Sequence, residues 1–219
     1  MRLCYHARVP YPPPDPRPDE RYHNRERIDY VCRWVNHQGA FLNIGNLSRR
    51  GKLHKRLVAR LPDMVMYGID VVSPTEAGVE VKDFPRQSIG SVEQMPFTDG
   101  MFDYLYMGEV LEHVWRPKQA IDECYRVLKP GGILIFDVPH VYALSRIIRH
   151  TLTGRDIILG DPDHKIFYSK AMIDNLLATC GFSVLALHAD RLVTLKRMHF
   201  TLPPFINHLG ETLIAVARK

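Results

Sequence analysis

Short apolar runs recur along the chain, separated by stretches of helical or turn character. Residues 40–45 (AFLNIG), 64–70 (MVMYGID), 102–108 (FDYLYMG) and 132–139 (GILIFDVP) are apolar and brief, and end at glycine, an acid or proline. That pattern predicts buried strands. A weaker strand is expected at 87–91. Helices are predicted between them, over 52–61 and over 117–128, the latter with Pro117 in its first turn and Lys129-Pro130-Gly131-Gly132 as its stop. In 24–35, Ile28, Val31, Cys32 and Val35 recur at three- and four-residue spacing, as on an amphipathic helix docked on a sheet. After a less regular segment at 140–167, Ser169 caps a helix running to about Thr179 and ended by Gly181. Strands at 182–189 and 211–218 close the chain around a loop holding Pro203 and Pro204. Strands alternating with helices predict a doubly wound α/β sheet, and the unbroken apolar character of 132–139 fits a parallel strand covered on both faces. Ligands are then expected beyond the carboxyl ends of the strands.

The 219 residues, 46% hydrophobic, suffice for one ordinary domain, expected over 24–219. Residues 1–23 form a separate arm, because VPYPPPDPRP can build neither a helix nor a central strand. Such an arm lies over the domain, over a neighbouring subunit in a homodimer, or free as a tail. No apolar run approaches the roughly 20 residues of a membrane span, and the first residues lack the apolar core of a secretory signal. Cys4, Cys32, Cys124 and Cys180 contain no CxxC pair, so neither a zinc site nor a disulfide framework is indicated. A soluble, cytoplasmic protein is expected. The net charge of +5 suits an anionic partner but is also ordinary for an enzyme. Without regular interleaving of basic and aromatic residues, no nucleic-acid partner is expected.

Several residues carry candidate chemistry. Gly45 follows a buried strand, where it lets the backbone turn sharply toward a ligand at a helix N-terminus. Asp70 ends the next strand about 25 residues later, where an acid can accept hydrogen bonds from ribose hydroxyls. Together they suggest an adenosine-containing cofactor; a turn glycine and a capping aspartate are the plainer alternative. His113, His140 and His164 are candidate bases titrating near neutral pH. Glu109 and Glu112, one turn apart, suit either a paired-carboxylate metal site or a solvated helix face. With no third ligand at suitable spacing, the solvated face is favoured and no metal is expected. Arg49, Arg50, Lys52, His54, Lys55 and Arg56 form a basic cluster that is either solvated or binds an acceptor phosphate.

The most specific stretch runs from Val92 to Pro139. Met95-Pro96-Phe97, Asp99, Phe102-Asp103, Glu109, Leu111-Glu112-His113 and Leu128-Lys129-Pro130-Gly131-Gly132 occur there in order. This series resembles the class I S-adenosylmethionine-dependent methyltransferases, and within them the type 11 group. The segments His164-Lys165-Ile166-Phe167-Tyr168-Ser169 and Gly181-Phe182 extend the resemblance toward the C-terminus. It implies a Rossmann-like seven-stranded sheet, mostly parallel with the last strand antiparallel, and S-adenosylmethionine as cofactor. Carried over by position, Gly45 faces the methionyl moiety, Asp70 the ribose, and Val71, Val92 and Met95 the adenine; Met107 and Gly108 lie beside the sulfonium.

Two features depart from the group. Its D-x-G-x-G-x-G loop appears here with Asn43, Gly45, Leu47 and Arg49 at the four fixed places, and its adenine-holding acid falls at Ser91. Asn43 and Asn46 can still hydrogen-bond the cofactor but carry no charge for its ammonium. The implied activity is methyl transfer, chiefly to oxygen, of a small-molecule, sugar or lipid-precursor acceptor. That acceptor, phosphorylated or sugar-linked among the options, would sit between loops 140–168 and 190–210. Positioning supplies most of such catalysis, with a base needed only for a hydroxyl or protonated amine. The broken glycine loop motivates an alternative, a degenerate fold kept as a binding or assembly subunit.

Overall fold

The computed structural model describes residues 24–36, 38–154, 163–190, 192–195 and 198–219. The expected arm, with the homodimer contact assigned to it, and part of each acceptor-side loop lie outside the described residues. The strands are β1 (Gly39–Ile44), β2 (Met64–Asp70), β3 (Gln87–Ile89), β4 (Phe102–Gly108), β5 (Leu128–Pro139), β6 (Ser183–Ala189), β7 (Leu192–Leu195), β8 (Met198–Thr201) and β9 (Thr212–Arg218). The helices are α1 (Asn24–Arg33), α2 (Ser48–Arg60), α3 (Pro117–Val127), α4 (Leu144–Thr153) and α5 (Lys170–Thr179). Seven strands form one sheet in the order β3-β2-β1-β4-β5-β9-β6, with β7 and β8 apart as a hairpin. β9 runs antiparallel to both its neighbours and the remaining pairs are parallel. The Rossmann-like doubly wound sheet expected from the sequence is thus present.

Alternation along each strand divides the core between the two faces. Leu42 and Ile44, Leu105 and Met107, Leu134 and Phe136, and Leu213 and Ala215 face α3 and α5, where Ile121, Cys124, Ile173 and Leu177 meet them. Phe41, Tyr104 and Tyr106, Ile133 and Ile135, and Ile214 and Val216 face α1 and α2, against Ile28, Val31, Leu57 and Leu61. Both sets are buried, which explains why the strands read as unbroken apolar runs.

Three expectations need correction. Residues 140–167 were expected to be irregular, yet they contain α4, an amphipathic helix closed by Gly154 in left-handed geometry. Lys129–Gly132 is not a turn ahead of β5 but a bulge inside it. Phe102 pairs with Leu128 and Tyr104 with Ile133, so the glycine pair absorbs the extra residues. The loop at 190–210 holds the β7–β8 hairpin and a 3₁₀ segment at Pro204–Leu209. Elsewhere the expected capping holds: the Ser169 hydroxyl accepts from the Met172 N–H, and Gly181, at φ +85, ends α5.

Candidate functional site

A cleft of about 960 Å³ opens at the carboxyl edge of the sheet, where β1 and β4 lie side by side. The chain winds outward in opposite senses from this pair, so the cleft occupies the topological switch point at which such sheets bind ligands. Its walls include Asn43, Gly45 and Asn46 from the end of β1, Gly108 and Glu109 from the end of β4, and Glu112, His113, Arg146 and His164 from the segments above.

The loop leaving β1 has four residues in left-handed geometry, two of them arginines, while Leu47 has φ −91. Gly45 has φ +68, and a side chain there would collide with Val110. Arg49, Arg50 and Gly51 then take φ 49, 59 and 64, three consecutive left-handed residues at the start of α2. For an arginine that conformation costs about 1–2 kcal/mol. Leu47, in place of a group glycine, is buried, and its N–H donates to Asp70 Oδ2 at 2.9 Å. Asp70 therefore pins the loop to β2, and its second oxygen accepts from Val72 N at 3.4 Å. The Asn46 and Gln87 side-chain amides exchange two hydrogen bonds, at 2.7 and 3.0 Å. Asn43 is buried and its amide donates to His54 Nδ1 at 3.3 Å.

The residues assigned to the adenine end lie elsewhere. Val92 and Met95 are buried in the core on the α3 face, and Met107 is buried beside them. The Ser91 hydroxyl accepts from Glu93 N, and Val71 is exposed. None of these five, nor Asp70, lines the large cleft. The structure thus gathers Asn43, Gly45, Asn46, Gly108, His113 and His164 around one space and leaves the rest on its flank or in the core.

The basic cluster divides. Arg49, Arg50, Lys52 and Arg56 line the cleft. Lys55 instead pairs with Asp83 at 2.7 Å. His54 is 4% exposed, stacks on Phe84, and is pushed down by burial to about 4, so it is neutral at physiological pH. Sequence reasoning missed a second charged group. Arg27 of α1 contacts Glu109 at 2.8 Å and the fully buried Asp137 at 3.1 Å, and the Tyr106 hydroxyl donates to Asp137 at 2.7 Å. Burial acts to raise the Glu109 carboxyl, but Arg27 with Arg49 outweighs it and the net shift is downward. An acid inside the apolar run GILIFDVP was the available signal for this network.

The expected solvated face fails for Glu112, whereas Glu109 is exposed and pairs with Arg27. Glu112 lies in a 3₁₀ turn, Leu111–His113, and is 1% exposed, with neither carboxylate oxygen hydrogen-bonded among the described residues. Burial pushes this carboxyl up to about 8. The turn faces inward because the residues before α5 tie to it. The N–H groups of Lys165 and Ile166 donate to the Glu112 carbonyl at 2.7 and 3.2 Å, and the Tyr168 hydroxyl to the Leu111 carbonyl at 3.2 Å. His113 and His164 consequently meet with ring centroids 4.8 Å apart. The third candidate base, His140, is buried away from the cleft. Its Nδ1–H donates to the Gly210 carbonyl at 3.1 Å, and burial lowers its pKa.

Residues 47–136 match the family model described as "Methyltransferase domain". The chain is 34% identical over 119 residues to a protein of Mycolicibacterium smegmatis named "Probable S-adenosylmethionine-dependent methyltransferase", a match covering 53% of this chain and 43% of that one. It is 38% identical over 118 residues to the ubiquinone biosynthesis O-methyltransferase of Pseudomonas putida, covering 50% and 47%. The matched stretch is less than half the length of each relative. A S-adenosylmethionine-dependent methyltransferase from Archaeoglobus fulgidus superposes with a TM-score of 0.64 at 16% identity, over 90% of this chain and 95% of that one, a likeness of fold. No helix among the described residues is long and apolar enough to cross a membrane. The ordered motif series, the strand order with its antiparallel β9, and the methyltransferase domain matched over residues 47–136 agree, and the chain is similar to the class I S-adenosylmethionine-dependent methyltransferases, with two of the group's loop glycines replaced.

Proposed function

We propose that this protein transfers the methyl group of S-adenosylmethionine to an oxygen of a small-molecule, sugar or lipid-precursor acceptor. The observation that carries the reading is the cleft at the β1–β4 switch point, floored by Gly45 and Gly108 and large enough for a cofactor together with an acceptor. The left-handed backbone of the β1–α2 loop supports it. Of the two places where the group carries glycine, Leu47 has an ordinary φ of −91 and Arg49 is held left-handed at φ 49. Transfer to oxygen is favoured by the likeness to the Pseudomonas O-methyltransferase. Arg49, Arg50, Lys52 and Arg56 on the cleft wall favour an anionic acceptor, phosphate being the group that several guanidinium ions and one ammonium hold best.

Methyl transfer is an in-line displacement in which the sulfonium supplies the leaving group, so the protein's task is to hold the acceptor oxygen on the line of the S–CH₃ bond. His113 and His164, which line the same cleft, are the candidate groups to take the hydroxyl proton.

Calorimetric titration with S-adenosylmethionine and S-adenosylhomocysteine tests the reading. Micromolar binding is expected, weakened at least tenfold by Asp70→Ala, which frees the Leu47 amide and unpins the loop. A folded protein that binds neither ligand at millimolar concentration would instead support the second reading, a methyltransferase fold kept as a binding subunit. The occupation of Asp70 by its own loop is the observation that favours this alternative.

A further inference from the structure

We propose that Glu112, His113 and His164 form a binding site for one divalent first-row cation of the zinc type, opening into the cleft. One ligand atom from each residue lies within 4.8 Å of the others, in a set drawn from the turn after β4 and from the irregular segment leading into α5. Metal–ligand bonds of about 2.1 Å hold ligand atoms roughly 3–3.5 Å apart, so the three must close by about an ångström, within the reach of imidazole and carboxylate rotamers.

Three observations point to a cation. Glu112 is 1% exposed and both its oxygens lack hydrogen-bond partners among the described residues, although its neighbours on the chain are firmly bonded. A carboxylate stripped of water and partners is costly, and a cation offsets that cost. His113 is already turned for ligation. Its Nδ1 lies 3.2 Å from the Asp163 carbonyl, which can only accept, and a proton on Nδ1 leaves Nε2 as the ligand atom. Metal-bound histidines are oriented in this way. Third, all three residues line the cleft, which leaves coordination positions open on that side.

Two imidazoles and one carboxylate suit zinc, with manganese the harder alternative, and disfavour magnesium and calcium, which take oxygen ligands. The cleft wall also holds Arg146 and Arg27, and Arg27 is already engaged by Glu109 and Asp137. The cation site does not rest on the methyl-transfer reading, and a bound cation would make His113 and His164 ligands in place of free bases.

The test is isothermal titration of the full chain, stripped with chelator and free of S-adenosylmethionine, against Zn²⁺ and separately Mn²⁺. One equivalent of Zn²⁺ is expected at micromolar or tighter affinity, with a rise in Tm on loading. Glu112→Gln and His164→Asn should each weaken binding at least thirtyfold and abolish the Tm rise. Thermal melts of the unloaded variants establish that they fold, and if Glu112→Gln does not, Glu112→Leu replaces it. Absence of stoichiometric binding in the wild type, or binding unchanged in folded variants of all three residues, overturns the proposal. Because no cofactor is present, failure here leaves methyl transfer untouched. Loss of cofactor binding would likewise leave the cation site standing.

Discussion

His54 makes the stability of this fold depend on pH in a calculable way. The side chain enters the core from α2, accepts from Asn43, stacks at 5.2 Å on Phe84, and is pushed down to about 4 from an ordinary 6.5. The unfolded chain therefore binds a proton between those values and the folded protein does not. For a base with a depressed folded pKa, stability is fully present above the unfolded value and is lost as pH falls toward the folded one. The full difference corresponds to about 3 kcal/mol, and between pH 7.5 and pH 5 it amounts to about 2 kcal/mol.

Asp190 works in the opposite direction. Burial pushes this acid, like Glu112, up to about 8, so their contribution weakens as pH rises through that window, and the raw stability curve mixes the two directions. The informative quantity is a difference between proteins. His54→Phe keeps the stacking on Phe84 and removes the titration, at a pH-independent cost of about 1 kcal/mol for the lost Asn43 bond. Urea unfolding followed by circular dichroism at pH 7.5 and 5.0 supplies the four free energies. The stability advantage of wild type over variant should shrink by about 2 kcal/mol at the lower pH. If the two proteins lose stability in parallel, His54 is not neutral in the fold and the burial argument fails. Because Phe84 abuts Gly51, the same protonation should also loosen the β1–α2 loop.

Two further perturbations follow. Arg27→Met strands the buried Asp137 charge and should cost about 3–5 kcal/mol in urea unfolding, most of it recovered in the double variant with Asp137→Asn; an equal loss in single and double variants would contradict the pairing. Arg49→Gly relieves about 1–2 kcal/mol of left-handed strain and returns roughly 0.5–1 kcal/mol through the freer unfolded chain, so Tm should rise by about 1–4 °C; a fall would mean that the arginine side chain stabilises the loop by more than its backbone costs.

The legibility of the chain divides along physical lines. β2 and β4 fall where the hydrophobic pattern puts them, because a strand buried on both faces must be apolar throughout and must stop where the chain meets polar turns. Ser169 and Gly181 bound α5 as expected, since capping is a local property. α4 escaped notice although its apolar stripe is strong. Leu144, Ile147, Ile148 and Leu152 recur at helical spacing, but Ala143 at the N-cap offers no side-chain cap to mark the start. The position of Glu112 was not legible at all. Nothing within four residues of it states that Lys165 and Ile166 will bind its carbonyl and draw it out of solvent.

The β1–α2 loop shows why motif loss and geometric loss have to be weighed separately. Counting residues, two of the group's three glycines are gone and the loop should have moved. The structure keeps φ 49 at Arg49 because the rest of the turn over-determines it: Leu47 is anchored by Asp70, Asn46 by Gln87, and Gly51 closes a bond to the Leu47 carbonyl at 3.1 Å against the ring of Phe84. Strain of this size persists only where surrounding contacts exceed it, and it concentrates where a ligand is held. What the replacement alters is the content of the cleft: it adds the Arg49 guanidinium beside that of Arg50 on the same wall. Whether a cofactor is gripped therefore turns on where those two side chains rest, and an anionic acceptor that draws them aside would help to form the site it occupies.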